Sequence, residues 1–178
     1  MATLATAKTL TVKITEDITL NGVQQGNTTT DTISSISQTY KRIMTIPIND
    51  GSIGSDDHVT VITTTGDSGS TVEAGKFIVG DMKYCRLTNL NTGAGEGLLV
   101  QIARDTDSNG TDDECAWILL EEGKSMIINT FASSFDANDG DLDAPSLADI
   151  TDIRVVNEST GTAVDLEVFI ASSWCLMI

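Results

Sequence analysis

Apolar and polar positions alternate strictly through much of this chain. Leu10, Val12 and Ile14 fall on one side of an extended backbone, with Thr9, Thr11 and Lys13 on the other. A period of two over that length predicts a half-buried strand. Ile18, Leu20 and the pair Asn21-Gly22 continue in the same style, and residues 24–31 read as a polar connection. Tyr40, Arg42, Met44 and Ile46 then share one parity against Lys41, Ile43 and Thr45. Pro47 has no N–H to give to a ladder and ends that strand. Residues 58–65 are rich in β-branched side chains, and Tyr84, Arg86 and Thr88 alternate with Cys85, Leu87 and Asn89. Val100, Ile102 and Arg104 alternate with Gln101, Ala103 and Asp105, and Val164, Leu166, Val168 and Ile170 with Asp165, Glu167 and Phe169. Shorter runs at 126–128 and 153–156 complete the set.

The segments between these runs are loaded with Gly, Asn, Asp and Ser. Asn109-Gly110 lies between the run ending at Asp105 and the continuous apolar run Trp117, Ile118, Leu119, Leu120. Asn and Gly tolerate φ > 0, so the pair predicts a hairpin. The three runs around 83–90, 98–104 and 116–120 are expected to form the interior of the fold. No apolar stripe of period 3.6 reaches helical length. The only helix expected is one turn at 146–150, capped by Ser146. About ten short strands with turns at near-regular spacing predict an all-β, antiparallel β-sandwich of jelly-roll type. With 178 residues, the chain reads as one such domain over 8–178, preceded by a loose arm at 1–7.

Charge narrows the partners. The formal net charge is −16. Residues 1–100 contribute −3 and residues 101–178 contribute −13. Such a surface repels phosphate backbones, which argues against direct nucleic-acid binding, and it attracts cations and basic partners. No run approaches the ~20 apolar residues of a membrane-spanning helix, and no signal peptide is expected. Cys85, Cys115 and Cys175 form no CxxC pair and are odd in number, a poor match to a secreted disulfide framework. Cys85 and Cys115 lie in apolar runs, where a thiol is expected to be a small buried hydrophobe.

Candidate chemistry is sparse. Asp105, Asp107 and Asn109, with Gly110 at the sixth place and Asp113 at the ninth, resemble the start of a calcium loop. The twelfth position is Ala116 where the full motif needs Glu, so an EF-hand is excluded. A partial Ca2+ loop and an ordinary Asp-rich turn both remain open, and no other cofactor is implied. A second acidic cluster, Asp136, Asp139, Asp141 and Asp143, matches no ligand spacing and reads as a solvated loop. His58 is the only histidine, and nothing places a nucleophile elbow or oxyanion loop beside it. Residues 93–97, Gly-Ala-Gly-Glu-Gly, precede a strand and lack the Lys of a phosphate loop, so they read as a flexible turn. Trp117, Phe77 and Phe169 lie within apolar strands and are expected to be buried, which argues against an aromatic sugar platform. The C-terminal run Trp174, Cys175, Leu176, Met177 and Ile178 either completes the core or packs on a neighbouring subunit.

Three segments, YKRIMTIP at 40–47, KYCRLTNLN with the hairpin that follows it at 83–125, and AVDLEVFIAS at 163–172, resemble small structural proteins of marine tailed bacteriophages. The resemblance implies a non-enzymatic virion β-sandwich, either a capsid decoration or cement protein or a tail component. It implies partners among other virion proteins such as the major capsid protein, and a homo-oligomer such as a trimer. Such a protein assembles into the virion in the host cytoplasm. A tail- or fibre-associated, calcium-dependent receptor- or glycan-binding module is the alternative. No catalytic residue comes with the resemblance.

Overall fold

The computed structural model describes residues 8–51, 57–65, 77–105, 114–136 and 147–173. Over these residues the regular structure is strand apart from short 3-10 turns, and two sheets lie in close contact. The first sheet has five strands. Its order is β10 (Glu114–Leu120), β9 (Leu98–Arg104), β12 (Asp152–Asn157), β6 (Val59–Thr65) and β7 (Phe77–Ile78). The second has four strands, ordered β11 (Ser125–Ile128), β8 (Met82–Asn89), β13 (Val164–Ser172) and β5 (Gln38–Ile46). Every pairing in them is antiparallel except that of β6 with the two-residue β7.

The core is what the alternation dictates. Leu98, Val100 and Ile102 of β9, Ile153 and Val155 of β12, and Val164, Leu166, Val168 and Ile170 of β13 are buried in one cluster with Ile46, Cys85 and Leu87. Each fully buried Val, Leu or Ile contributes roughly 1.5–3 kcal/mol of transfer free energy. Phe131, beyond β11, is fully buried in the same cluster.

Asparagines staple the loops at one end of the sandwich. Asn89 Nδ2 donates to the carbonyl of Glu96 (2.8 Å), and its Oδ1 accepts from Asn91 N–H. Asn157 Nδ2 donates to the carbonyl of Thr162 (2.8 Å), while Asn49 Nδ2 donates to that of Asn157 (2.6 Å). Asn157 is buried and its amide is committed to these hydrogen bonds.

Residues 8–36 form a separate ribbon. β1 (Lys8–Thr15) pairs with β4 (Thr28–Ile36), and beyond them β2 (Thr19–Leu20) and β3 (Val23–Gln24) pair as a second two-stranded ladder. Asn21 and Gly22 join β2 to β3 at φ 51° and 76°, the positive values a type I′ turn needs at both central residues. The polar connection expected at 24–31 thus contains the start of β4. The ladder of β1 with β4 shifts register between Lys8 and Leu10, opposite Ser35, which sits at φ 63°. That irregularity brings Ile33 and Ile36, three residues apart, into one small cluster with Leu10, Val12, Tyr84, Phe169 and Ala171. The base of the ribbon therefore packs on the outer face of the four-stranded sheet.

Two further expectations are overturned. Residues 147–150 are not helical; Ala148 bridges Phe135 in extended conformation, and Ser146 lies outside the described residues. β10 is an edge strand with Trp117, Ile118 and Leu119 exposed, not an interior one. Its apolar content had suggested core, but apolar content does not reveal whether a strand has a neighbour on both sides.

Candidate functional site

The most unusual described surface is the β10 edge. Trp117, Ile118 and Leu119 are each between 42% and 48% exposed, and beyond β10 no further strand pairs among the described residues. In register with Trp117, Gln101 stands on β9 and Arg154 on β12. Arg154 donates to Asp152 (2.7 Å) and, at 3.5 Å, to Gln101 Oε1. His58, just before β6, meets the Trp117 ring edge-on at 5.4 Å between centroids. The histidine is thus an aromatic neighbour of the exposed tryptophan. Cys115, expected buried, is exposed on the same strand.

A consecutive run of exposed apolar residues on an unpaired strand is a template for association, and natural edges usually suppress it with charge, proline or a bulge. None of these interrupts the strand between Cys115 and Leu120. The chain has left this edge sticky.

The metal candidates fare differently. Asp105 is half-buried at the end of β9, while Asp107, Asn109 and Asp113 lie outside the described residues. Among the described residues no group of three His, Cys, Asp or Glu side chains could hold a metal ion. Asp136, from the second acidic cluster, is a counter-ion, 3.2 Å from the buried Arg104 guanidinium. Asp139, Asp141 and Asp143 lie outside the described residues, as do Trp174, Cys175, Leu176, Met177 and Ile178.

Two other sequence features resolve into structure. The turn at 93–97 is tied down: Gly93 N–H donates to Glu96 Oε2 (3.0 Å) and Gly95 N–H to Glu122 Oε1 (2.6 Å). Hydrogen bonds from its own backbone N–H and then from Gly95 N–H hold the Glu122 carboxyl below its usual range. Burial pushes the Cys85 thiol up to about 12, which leaves it protonated and inert as a nucleophile at neutral pH.

On the outer face of the four-stranded sheet, Glu167 bridges Lys41 (2.7 Å) and Arg86 (2.5 Å). The hydrogen bond from Lys41, then that from Arg86, holds its carboxyl below the usual range against the opposing effect of burial. The folded pKa is therefore lower than the unfolded value of ~4.3. The resulting stabilisation is complete above the unfolded pKa and is lost as pH falls through the folded one. Glu167→Gln is expected to lower Tm at pH 7, with the gap to wild type closing only below about pH 4. Thermal melts across pH check this; a gap that grew in acid would contradict it.

No protein-family model, curated protein or solved structure matches this chain.

Proposed function

We propose that this protein is a non-enzymatic structural protein of a bacteriophage particle, a capsid decoration or cement protein that stabilises the shell by subunit contacts. We propose with it that the sandwich is a jelly roll. Strand order supports both. Taken along the chain, β5, β6, β8 and β9 are followed by β10, β11, β12 and β13. The two sets pair antiparallel in nested fashion: β9 with β10, β8 with β11, β6 with β12 and β5 with β13. An antiparallel hairpin of that kind, wound into two sheets, is the jelly-roll plan, and capsid domains are among its commonest users. The step from fold to particle is an analogy.

The single observation that carries a binding role is the apolar β10 edge. In this reading the edge lies against the major capsid protein, where the backbone of β10 gains a ladder and Trp117 fills a pocket. The experiment is a pull-down on isolated shells with Trp117→Lys and Leu119→Lys. Both side chains are exposed, so Tm should move little, while affinity should fall about 30-fold or more, the loss of a ~2 kcal/mol tryptophan contact. Wild-type protein that ignores shells, or variants that bind them equally well, would sink the reading.

The exposed Trp117 ring with Gln101, Arg154 and His58 alongside also favours a second reading, a glycan- or receptor-binding module. Aromatic rings beside planar hydrogen-bonding groups suit sugar faces. Glycan-array binding that disappears with Trp117→Ala supports this reading, and further loss with chelator would make it calcium-dependent.

A further inference from the structure

We propose that the outer half of the β1–β4 ribbon is a clasp that packs onto the outer face of the four-stranded sheet of a second copy of this chain. The ribbon's apolar face shows what kind of surface it fits. At the base, Leu10, Val12 and Ile33 lie against Tyr84, Phe169 and Ala171 of that sheet. Ile14 continues the Leu10–Val12 stripe on the same parity, and the tip adds Ile18, Leu20 and Val23. All four are between 47% and 57% exposed. The stripe therefore runs past the surface it packs on, with most of its apolar content still in water.

Geometry makes that unfavourable for a chain alone. Lys8 to Leu20 spans roughly 40 Å at strand rise, and a two-stranded hairpin is marginally stable in water without a surface to cover. Exposed large apolar residues concentrated on such an arm mark a contact.

Charge selects the occupant. The ribbon carries Lys8 and Lys13 against Glu16, Asp17 and Asp31, a net of −1. The outer face of the four-stranded sheet sets Lys41 and Arg86 against Asp165 and Glu167, and is neutral. Of the net −8 carried by the described residues, −7 therefore lies outside both surfaces. Two copies meeting through other surfaces repel each other, whereas ribbon and sheet face approach without that cost. The same face also offers uncovered apolar residues beyond the ribbon's base: Ile43 on β5 and Ile127 on β11 are exposed. Ile127 ends the Lys41–Phe169–Arg86–Ile127 row defined by the strand register, and Ile43 begins the next, Ile43–Glu167–Thr88–Ser125. A second copy thus presents the part of this sheet face that its own ribbon base leaves uncovered. Reciprocal exchange gives a two-fold dimer, and head-to-tail exchange a closed ring.

The test is solution mass by sedimentation at micromolar concentration, with the full chain. Wild type is expected to be a dimer or larger. A shortened ribbon, in which residues 15–28 are replaced by Asn-Gly, keeps the base packing and is expected to be monomeric with a similar Tm. Leu20→Asp with Val23→Asp changes only exposed side chains and guards against misfolding. It should raise the dissociation constant at least about tenfold. Ile43→Glu should do the same from the other side of the contact. Mixing the shortened variant with Ile43→Glu should restore a heterodimer, because one partner retains the clasp and the other the face. A monomeric wild type, or a shortened variant of unchanged mass, overturns the proposal. Shell binding through β10 is read separately, so either proposal can fail while the other stands.

Discussion

Replacing Phe131 with alanine is expected to destabilise the fold by about 3–5 kcal/mol, the range for emptying a fully buried aromatic site. Phe131 belongs to the main core cluster and has no exposed surface. Its backbone is fixed as well, since its carbonyl accepts from Ile150 N–H at 3.0 Å. Ala148 and Phe135 exchange backbone hydrogen bonds of 2.9 and 3.2 Å just beyond it. The two segments between β11 and β12 therefore hold the ring in place and limit collapse around a cavity. In a chain of this size each kcal/mol corresponds to about 2–4 °C, so Tm should drop by roughly 10 °C. Urea titration should show a lower midpoint with unchanged slope. Phe131→Leu keeps most of the volume and should cost only about 1.5 kcal/mol. A loss under about 1 kcal/mol for Phe131→Ala would mean that the loops close over the space and that the ring is not a core residue in solution.

Phe131 also marks a limit of pattern reading. It follows the Met126–Ile128 run and precedes an acidic stretch, with no alternation to flag it. Where strands have one face on the core, as in β5, β8, β9 and β13, parity was legible residue by residue. Tyr84 and Arg86 do face outward, and Cys85 and Leu87 inward. β10 misled because an edge position is a property of topology. Trp117, Ile118 and Leu119 look like core until their strand is found to lack a second neighbour. β4 was missed for the opposite reason. The first five residues of β4, Thr28 to Thr32, are polar on both faces, so the strand character there comes from pairing with β1 and from the Asn21-Gly22 turn. That turn signal was present in the sequence, and reading it as a hairpin would have found the ribbon. Asp136 could be counted as an acidic loop residue, but not as the counter-ion of an arginine 32 positions earlier. The calcium question rests on Asp107, Asn109 and Asp113, which lie outside the described residues.

Arg104→Met is expected to cost about 3–5 kcal/mol, as removal of one member of a buried ion cluster does. Arg104 ends β9 on the inward parity of Val100 and Ile102 and is buried. Its guanidinium pairs with Glu114, the residue opposite it in the β9–β10 register, and with Asp136 at 3.2 Å. It also donates through Nη1 to the carbonyl of Phe135 (3.2 Å). One planar group thus ties the base of the acidic hairpin to the segment that carries Phe131. Methionine matches the stem but leaves two carboxylates facing each other without the cation. Lysine restores charge without the fork needed to reach three acceptors, so Arg104→Lys should recover only part of the loss. Adding Asp136→Asn to Arg104→Met removes one of the stranded charges. The double variant should therefore be more stable than additivity predicts, with a coupling of about 0.5–3 kcal/mol by chemical denaturation. Strict additivity would mean that the two side chains do not interact in solution. A stable Arg104→Met would mean that the cluster is hydrated and that the hairpin base is held by its ladder alone.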